Sequence, residues 1–152
     1  DAYLDTLAQE EFHNVLARGG VISGTSAGAT IQGSVMGLNR KGMVIPAGSS
    51  TEGELTRGLG FLRDSVIAQH LLTRNRQFNL VSFVKAFPQL FGIGLDESTA
   101  IVVIKDEFEV IGNSYVAIYG TGTSAAPFFF LKAGQKYDLK KHKIIKDEKK
   151  TQ

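Results

Sequence analysis

The sequence predicts an α/β fold, with helix and strand alternating over a parallel sheet early in the chain and an antiparallel extension late in it. Three observations carry this. An amphipathic helical stretch leads into a short apolar run bounded by glycines, then a tight turn, then a second helical stretch. Two further apolar runs, Ser65–Ala68 and Phe91–Leu95, flank a helical pattern, as a βαβ unit requires. After Ala100, β-branched residues gather in short runs separated by turn residues, as in hairpins.

Residues Tyr3–Ala17 read as the first helix. Leu4, Leu7, Ala8, Phe12, Val15 and Leu16 recur at helical spacing and give one apolar face; Arg18 lies in the last turn and Gly19–Gly20 end it. Val21–Ser23 has the character of a buried parallel strand. Gly24–Ala29 is a turn of small residues, and Thr30–Met36 is compatible with helix. The weakly periodic, Gly- and Ser-rich stretch Gly37–Gly60 reads as a long surface loop beside the site. The strand Ser65–Ala68 ends at Gln69–His70. Thr73–Phe87 reads as a helix with Thr73 as N-cap and Pro88 as its stop. Phe91–Leu95 ends at Asp96–Glu97. Ala100–Ile104, Glu109–Ile111, Tyr115–Tyr119 and Phe128–Leu131 complete the strands, with turns at Lys105–Asp106 and Gly112–Asn113. Residues 1–139 read as the later half of a single domain, and the basic tail 140–152 is expected to fray or stay mobile.

Composition narrows the function. The 152 residues, 43% hydrophobic and 21% charged, suit one domain with a core and exclude wholesale disorder. Seventeen basic residues against 15 acidic leave a net charge of +2, which is no nucleic-acid footprint. With no cysteine, disulfides, thiolate nucleophiles and thiolate zinc sites are excluded. No apolar run reaches the ~18 residues a membrane span needs. Cysteine absence fits the cytosol, the periplasm and the exterior alike. The chain opens on Asp1 inside a helical pattern, so it reads as part of something longer.

The chemistry gathers where strands end. Gly24-Thr25-Ser26-Ala27-Gly28 fits the Gly-x-Ser-x-Gly nucleophile elbow, in which small neighbours let a sharp strand-to-helix turn close around a strained serine. The N–H of Ala27 then sits at a helix start, where it can donate to an oxyanion. Of the three histidines, His13 lies mid-helix and His142 in the basic tail, which leaves His70 as the base. Asp96 or Glu97 supplies a carboxylate to orient it. Arg74 and Arg76 can grip a substrate carboxylate, or equally form a solvated helix face. Plainer readings exist for each: a capping serine, a hydrogen-bonded loop histidine, an N-cap carboxylate. Their joint placement at strand ends of an α/β pattern favours chemistry. Two competing functions stay open: an α/β-hydrolase esterase, which would draw its histidine from His142, and an inactive homologue that only binds.

Gly24–Ala29, Gln69–His70 with Arg74 and Arg76, and Gly92-Ile93-Gly94-Leu95-Asp96-Glu97-Ser98-Thr99-Ala100 together resemble the cyanophycinase family of serine peptidases, related to dipeptidase E. The resemblance covers nearly the whole chain, to Tyr137–Leu139. It implies a three-layer α/β sandwich of the class I glutamine amidotransferase type, with a mostly parallel sheet and serine in place of cysteine. It implies Ser26 as nucleophile, His70 as base and Glu97 as third member, with Gln69, Arg74 and Arg76 lining the site. It implies hydrolysis of small peptides or isopeptides at aspartyl residues, with no cofactor and no metal. Cyanophycin-cleaving members carry an Asp two residues before the histidine and a further Arg in the next helix; here those positions hold Ala68 and Asn79. Family members are nearly twice as long, so the resemblance also implies an absent N-terminal half as partner, supplying first strands and a second oxyanion donor. A homodimer is one assembly it allows.

Overall fold

The computed structural model describes residues 3–36, 56–121 and 126–146. The first helix, α1 (Leu7–Ala17), starts later than the apolar pattern because Thr6 caps it: Thr6 is extended (φ −120°, ψ 162°) and its hydroxyl accepts the Gln9 N–H at 3.4 Å. None of its residues is buried. It is tied to the body by the His13 ring against Phe61, centroids 4.8 Å apart, and by a bidentate Arg57–Asp5 pair at 2.9 Å just before its start.

Val21–Ser23 is not a buried strand; it joins no sheet among the described residues, and Val21 is 84% exposed. Three residues between glycines, two of them apolar, supply a strand's local shape, but a strand is completed only by a neighbour's N–H and C=O groups. The second helix is a single turn, α2 (Ala27–Thr30), and the remainder of the predicted helix is strand β1 (Gly33–Met36). Here tertiary pairing overrides a weak helical preference. The Ser34 hydroxyl accepts the Ser65 N–H at 3.0 Å and donates to the Ser65 carbonyl at 3.1 Å, which pins β1 beside the next long strand. Most of the predicted loop, residues 37–55, lies outside the described residues; its end supplies β2 (Thr56–Arg57).

Strand β3 (Leu62–Gln69) extends the predicted core run at both ends. Helix α3 (Asn79–Ala86) starts well after Thr73, which is not its cap. The Thr73 hydroxyl and N–H both donate to Asp96, and Asn75 turns the chain at φ 51° before the helix begins. Then follow β4 (Phe91–Leu95), β5 (Thr99–Ile104), β6 (Glu107–Gly112), β7 (Tyr115–Tyr119), β8 (Phe128–Lys132), β9 (Lys136–Asp138) and β10 (Lys143–Ile145). The basic run past Leu139 is therefore not frayed as far as Lys146. Lys143, Ile144 and Ile145 pair antiparallel with Asp138, Tyr137 and Lys136, because an apolar residue pair within the lysines has a strand edge to meet.

One sheet has six strands in the order β2-β1-β3-β4-β7-β8. The β1–β3 and β3–β4 pairs are parallel; the β2–β1, β4–β7 and β7–β8 pairs are antiparallel. The sheet is thus mixed rather than mostly parallel, since the chain after β4 returns through hairpins that add antiparallel strands to its edge. A second, four-stranded antiparallel sheet runs β10-β9-β6-β5.

Period-two alternation sends β3 and β7 side chains to two cores. On one face Ile67, Ile93, Val116 and Ile118 meet Phe108 and Val110 of the second sheet. On the other Val66, Ala68, Ala117 and Tyr119 meet Leu80, Phe83 and Val84 of α3. Full burial of each Val, Leu, Ile or Phe side chain among these contributes roughly 1.5–3 kcal/mol. The layers are helix, mixed sheet and antiparallel sheet, and β3 and β4 end side by side: Gln69 pairs with Leu95.

Candidate active site

Ser26 sits at the junction into α2 with φ 53° and ψ −119°, a conformation that costs a non-glycine residue on the order of 1–3 kcal/mol. Its neighbours make that turn possible. A Cβ on Gly24 would overlap the carbonyl group of Gly28, so only glycine fits there. The turn is closed by Gly28 N–H to the Thr25 carbonyl (2.9 Å) and by Ala29 and Thr30 N–H to the Ser26 carbonyl (3.0 and 3.2 Å). Ala27, the next residue, is exposed, and its N–H donates to no acceptor among the described residues.

His70 follows the last residue of β3 and has φ 54°. It is aimed by what comes after it. Leu71 is fully buried, and its N–H donates to the Leu95 carbonyl at 3.1 Å. A side chain on Gly94 would collide with Leu71, so glycine there lets the turn after His70 sit flat on the sheet. The outcome is a relay. His70 Nε2 lies 3.0 Å from Ser26 Oγ, and His70 Nδ1 lies 2.9 Å from Glu97 Oε1. An ionised Glu97 can only accept, so Nδ1 carries the proton and Nε2 is left to accept from the Ser26 hydroxyl. The His70 side chain is 21% exposed and that of Glu97 48%, so the relay opens to solvent on the Glu97 side.

Of the two carboxylates the sequence offered for orienting the histidine, the structure puts Glu97 on the imidazole and turns Asp96 away. Asp96 Oδ1 accepts from the Leu72 N–H (2.9 Å), the Thr73 N–H (3.1 Å) and the Thr73 hydroxyl (3.2 Å), and Oδ2 accepts from the Ser114 hydroxyl at 2.6 Å. Burial works to raise its carboxyl pKa. The Ser114 hydroxyl and the N–H groups of Thr73, Glu97 and Leu72 outweigh burial and hold it below the ordinary aspartate value. Ser114 carried no signal in the sequence beyond lying next to the Gly112–Asn113 turn.

Arg76 is half-buried, and its Nη1 donates to the Gln69 carbonyl and to Gln69 Oε1, both at 3.3 Å. Gln69 and Arg76 are thus held together at the end of β3, beside His70. Arg74 is exposed; its N–H donates to the His70 carbonyl at 3.1 Å, and its guanidinium has no ion pair among the described residues. His13 and His142 stay apart from the relay, each against a phenylalanine ring, Phe61 and Phe91. A cavity of about 680 Å³ lies at the opposite ends of β3 and β4 beside Leu62, Arg63, Phe91 and His142, and holds none of the relay residues. Among the described residues no three His, Asp or Glu side chains converge as metal ligands. No helix there is long and apolar enough to cross a membrane.

Comparison with known proteins shows the family of the chain. Residues 4–111 match the model of peptidase family S51, a span that contains every member of the relay. The chain is 37% identical over 122 residues to a cyanophycinase of Geminocystis herdmanii, covering 75% of this chain and 42% of that protein. It is 34% identical over 113 residues to a cyanophycinase of Synechococcus elongatus, and 36% identical over 110 residues to one of Trichormus variabilis. Those alignments cover 70% and 66% of this chain but 33% and 34% of the relatives, so the chain spans between a third and about two fifths of the curated relatives it matches. With more than half of its length matched, the chain belongs to peptidase family S51.

Proposed function

We propose that this chain carries the catalytic relay of a serine peptidase that hydrolyses small peptides or isopeptides at aspartyl residues. The observation that carries the proposal is the unbroken line from Ser26 Oγ through His70 to Glu97, starting from a serine held at positive φ. Ser26 Oγ attacks the scissile carbonyl carbon as His70 Nε2 takes its proton. The carbonyl oxygen becomes an oxyanion facing the Ala27 N–H. The intermediate collapses by breaking the C–N bond, and His70 returns the proton to the leaving amine. Water then attacks the acyl-serine with His70 again as base, releasing the acid and restoring the serine hydroxyl. Glu97 keeps the Nδ1 proton in place and offsets the charge His70 gains.

The aspartyl preference rests on Arg76, fixed by Gln69 beside the base, and on the exposed Arg74, whose guanidinium has no ion pair among the described residues; both can offer a carboxylate partner near the site. The curated relatives are named cyanophycinases. Here Ala68 is buried against the α3 core, so no carboxylate enters the site from that position, and we assign a shorter aspartyl peptide as substrate. In this reading the complete architecture is the class I glutamine amidotransferase type, and a second oxyanion donor comes from family segments outside these residues.

A fluorophosphonate probe together with a peptide-library screen containing α- and β-aspartyl dipeptides tests the proposal. The probe is expected to label Ser26, and cleavage to concentrate at aspartyl positions. Hydrolysis that survives Ser26→Ala unchanged would overturn it.

A further inference from the structure

Asp96 precedes the acid of the relay in the chain, and among the described residues its carboxylate hydrogen-bonds to neither the His70 nor the Glu97 side chain. Its Oδ1 takes three donors from the two residues that follow Leu71, so it grips the loop leaving His70. Its Oδ2 takes the Ser114 hydroxyl, which roots it in the turn between β6 and β7. That same turn holds the segment around Glu97. The Ser114 N–H donates to Thr99 Oγ1 at 2.8 Å, and the Thr99 hydroxyl donates to the Glu97 carbonyl at 3.3 Å. The Asn113 N–H donates to the Ser98 carbonyl at 2.9 Å, next to a Ser98 backbone at φ 55°. A carboxylate that merely caps a turn draws its donors from one local stretch, as Asp138 does from Lys140 and Lys141. Asp96 draws them from two segments far apart in sequence, each joined to a different member of the relay.

Glu97 needs such support. Its side chain is half-exposed, and its one hydrogen-bond partner among the described residues is His70. Its long side chain is therefore only partly fixed by its surroundings and keeps rotamer freedom unless its backbone is well placed. We propose that Asp96, braced by Ser114 and Thr99, is a positioning residue that sets the spacing between the His70 and Glu97 backbones and so keeps the Nδ1–Oε1 bond made. The catalytic consequence rests on the peptidase reading above; the geometric one does not.

The test compares Asp96→Ala, Asp96→Asn and Ser114→Ala with Asp138→Asn, whose carboxylate caps a remote turn. One readout is the rate at which the fluorophosphonate probe labels Ser26. The other is the downfield proton resonance of the His70 Nδ1–H, assigned by its loss in His70→Gln. In folded Asp96→Ala and Ser114→Ala, labelling is expected to slow about 10- to 100-fold, the scale of a misplacement near 1 Å, and the resonance to be lost to solvent exchange. Asp96→Asn keeps Oδ1 for the Leu72 and Thr73 donors and should fall between. Asp138→Asn should move neither readout. Folded Ser114→Ala and Asp96→Asn with unchanged resonance and labelling would overturn the proposal even if Asp96→Ala did not fold, as would absence of the resonance in the unaltered protein. Loss of the resonance in these variants of a protein whose Ser26 never labels would refute the peptidase reading and uphold the positioning role.

Discussion

Ser26 Oγ lies 3.0 Å from His70 Nε2, although 44 residues separate the two in the chain. The contact exists because α2 packs Ala29 and Thr30, both buried, beside β3, while β1 runs parallel to β3. The serine turn and the end of β3 are thereby carried to the same edge of the sheet.

Removing the proposed nucleophile should separate chemistry from fold. Ser26→Ala is expected to lower kcat for aspartyl dipeptide hydrolysis by about 10⁴- to 10⁶-fold. Its melting temperature should hold or rise, because alanine loses no contact other than the His70 hydrogen bond. Turnover within tenfold of the unaltered enzyme would remove Ser26 from the mechanism.

The acid should matter less than the nucleophile. Glu97→Gln keeps the shape but loses the charge that orients the imidazole and stabilises its protonated form. A buried triad acid is worth roughly 10⁴-fold; Glu97 is half-exposed, so a loss of about 10²- to 10³-fold is expected, with KM little changed. A kcat equal to that of the unaltered enzyme would make Glu97 dispensable.

The two glycines of the elbow should behave differently. Gly24→Ala drives a methyl group into the Gly28 backbone and should destabilise the protein by about 1–3 kcal/mol, with activity falling as the turn shifts. Gly28→Ala meets nothing within 4 Å and replaces a helical glycine, so stability should be unchanged or gain up to ~1 kcal/mol. Thermal melts of the two variants decide it; equal losses would contradict the geometry of the turn.

Asp96 also predicts a pH dependence of stability. Its carboxyl titrates below the ordinary 3.8 when folded. The stabilisation is therefore complete above that value and disappears as pH falls through the folded-state pKa. Melting temperatures measured from about pH 6 to about pH 2.5 should drop less steeply for Asp96→Asn than for the unaltered protein. Parallel curves would show that Asp96 is no better solvated by its donors when folded than when unfolded.

Much of this was legible in the residues. Phe91–Leu95 forms a strand over the span its apolar run marks, and Ser26, His70 and Glu97 could each be picked out at the end of a predicted element. Glu97 and Asp96 are neighbours with the same chemistry, and what distinguishes them is which segment each faces. The helical start at Thr73 misled because its capping hydroxyl was claimed by Asp96 from across the sheet. Gly33–Met36 misled because Ser34 found Ser65, a partner 31 residues away.

The order of small, polar and apolar residues alone determined an α/β domain with a serine elbow, one well-placed histidine and an acid pair at a strand end. These are local properties, set by side-chain size, period and backbone freedom. Tertiary structure alone decided which carboxylate meets the histidine, that Asp96 instead joins the His70 loop to the β6–β7 turn, and that the sheet is mixed. Those outcomes depend on which distant N–H and hydroxyl groups reach an acceptor first, and linear sequence does not carry that distance.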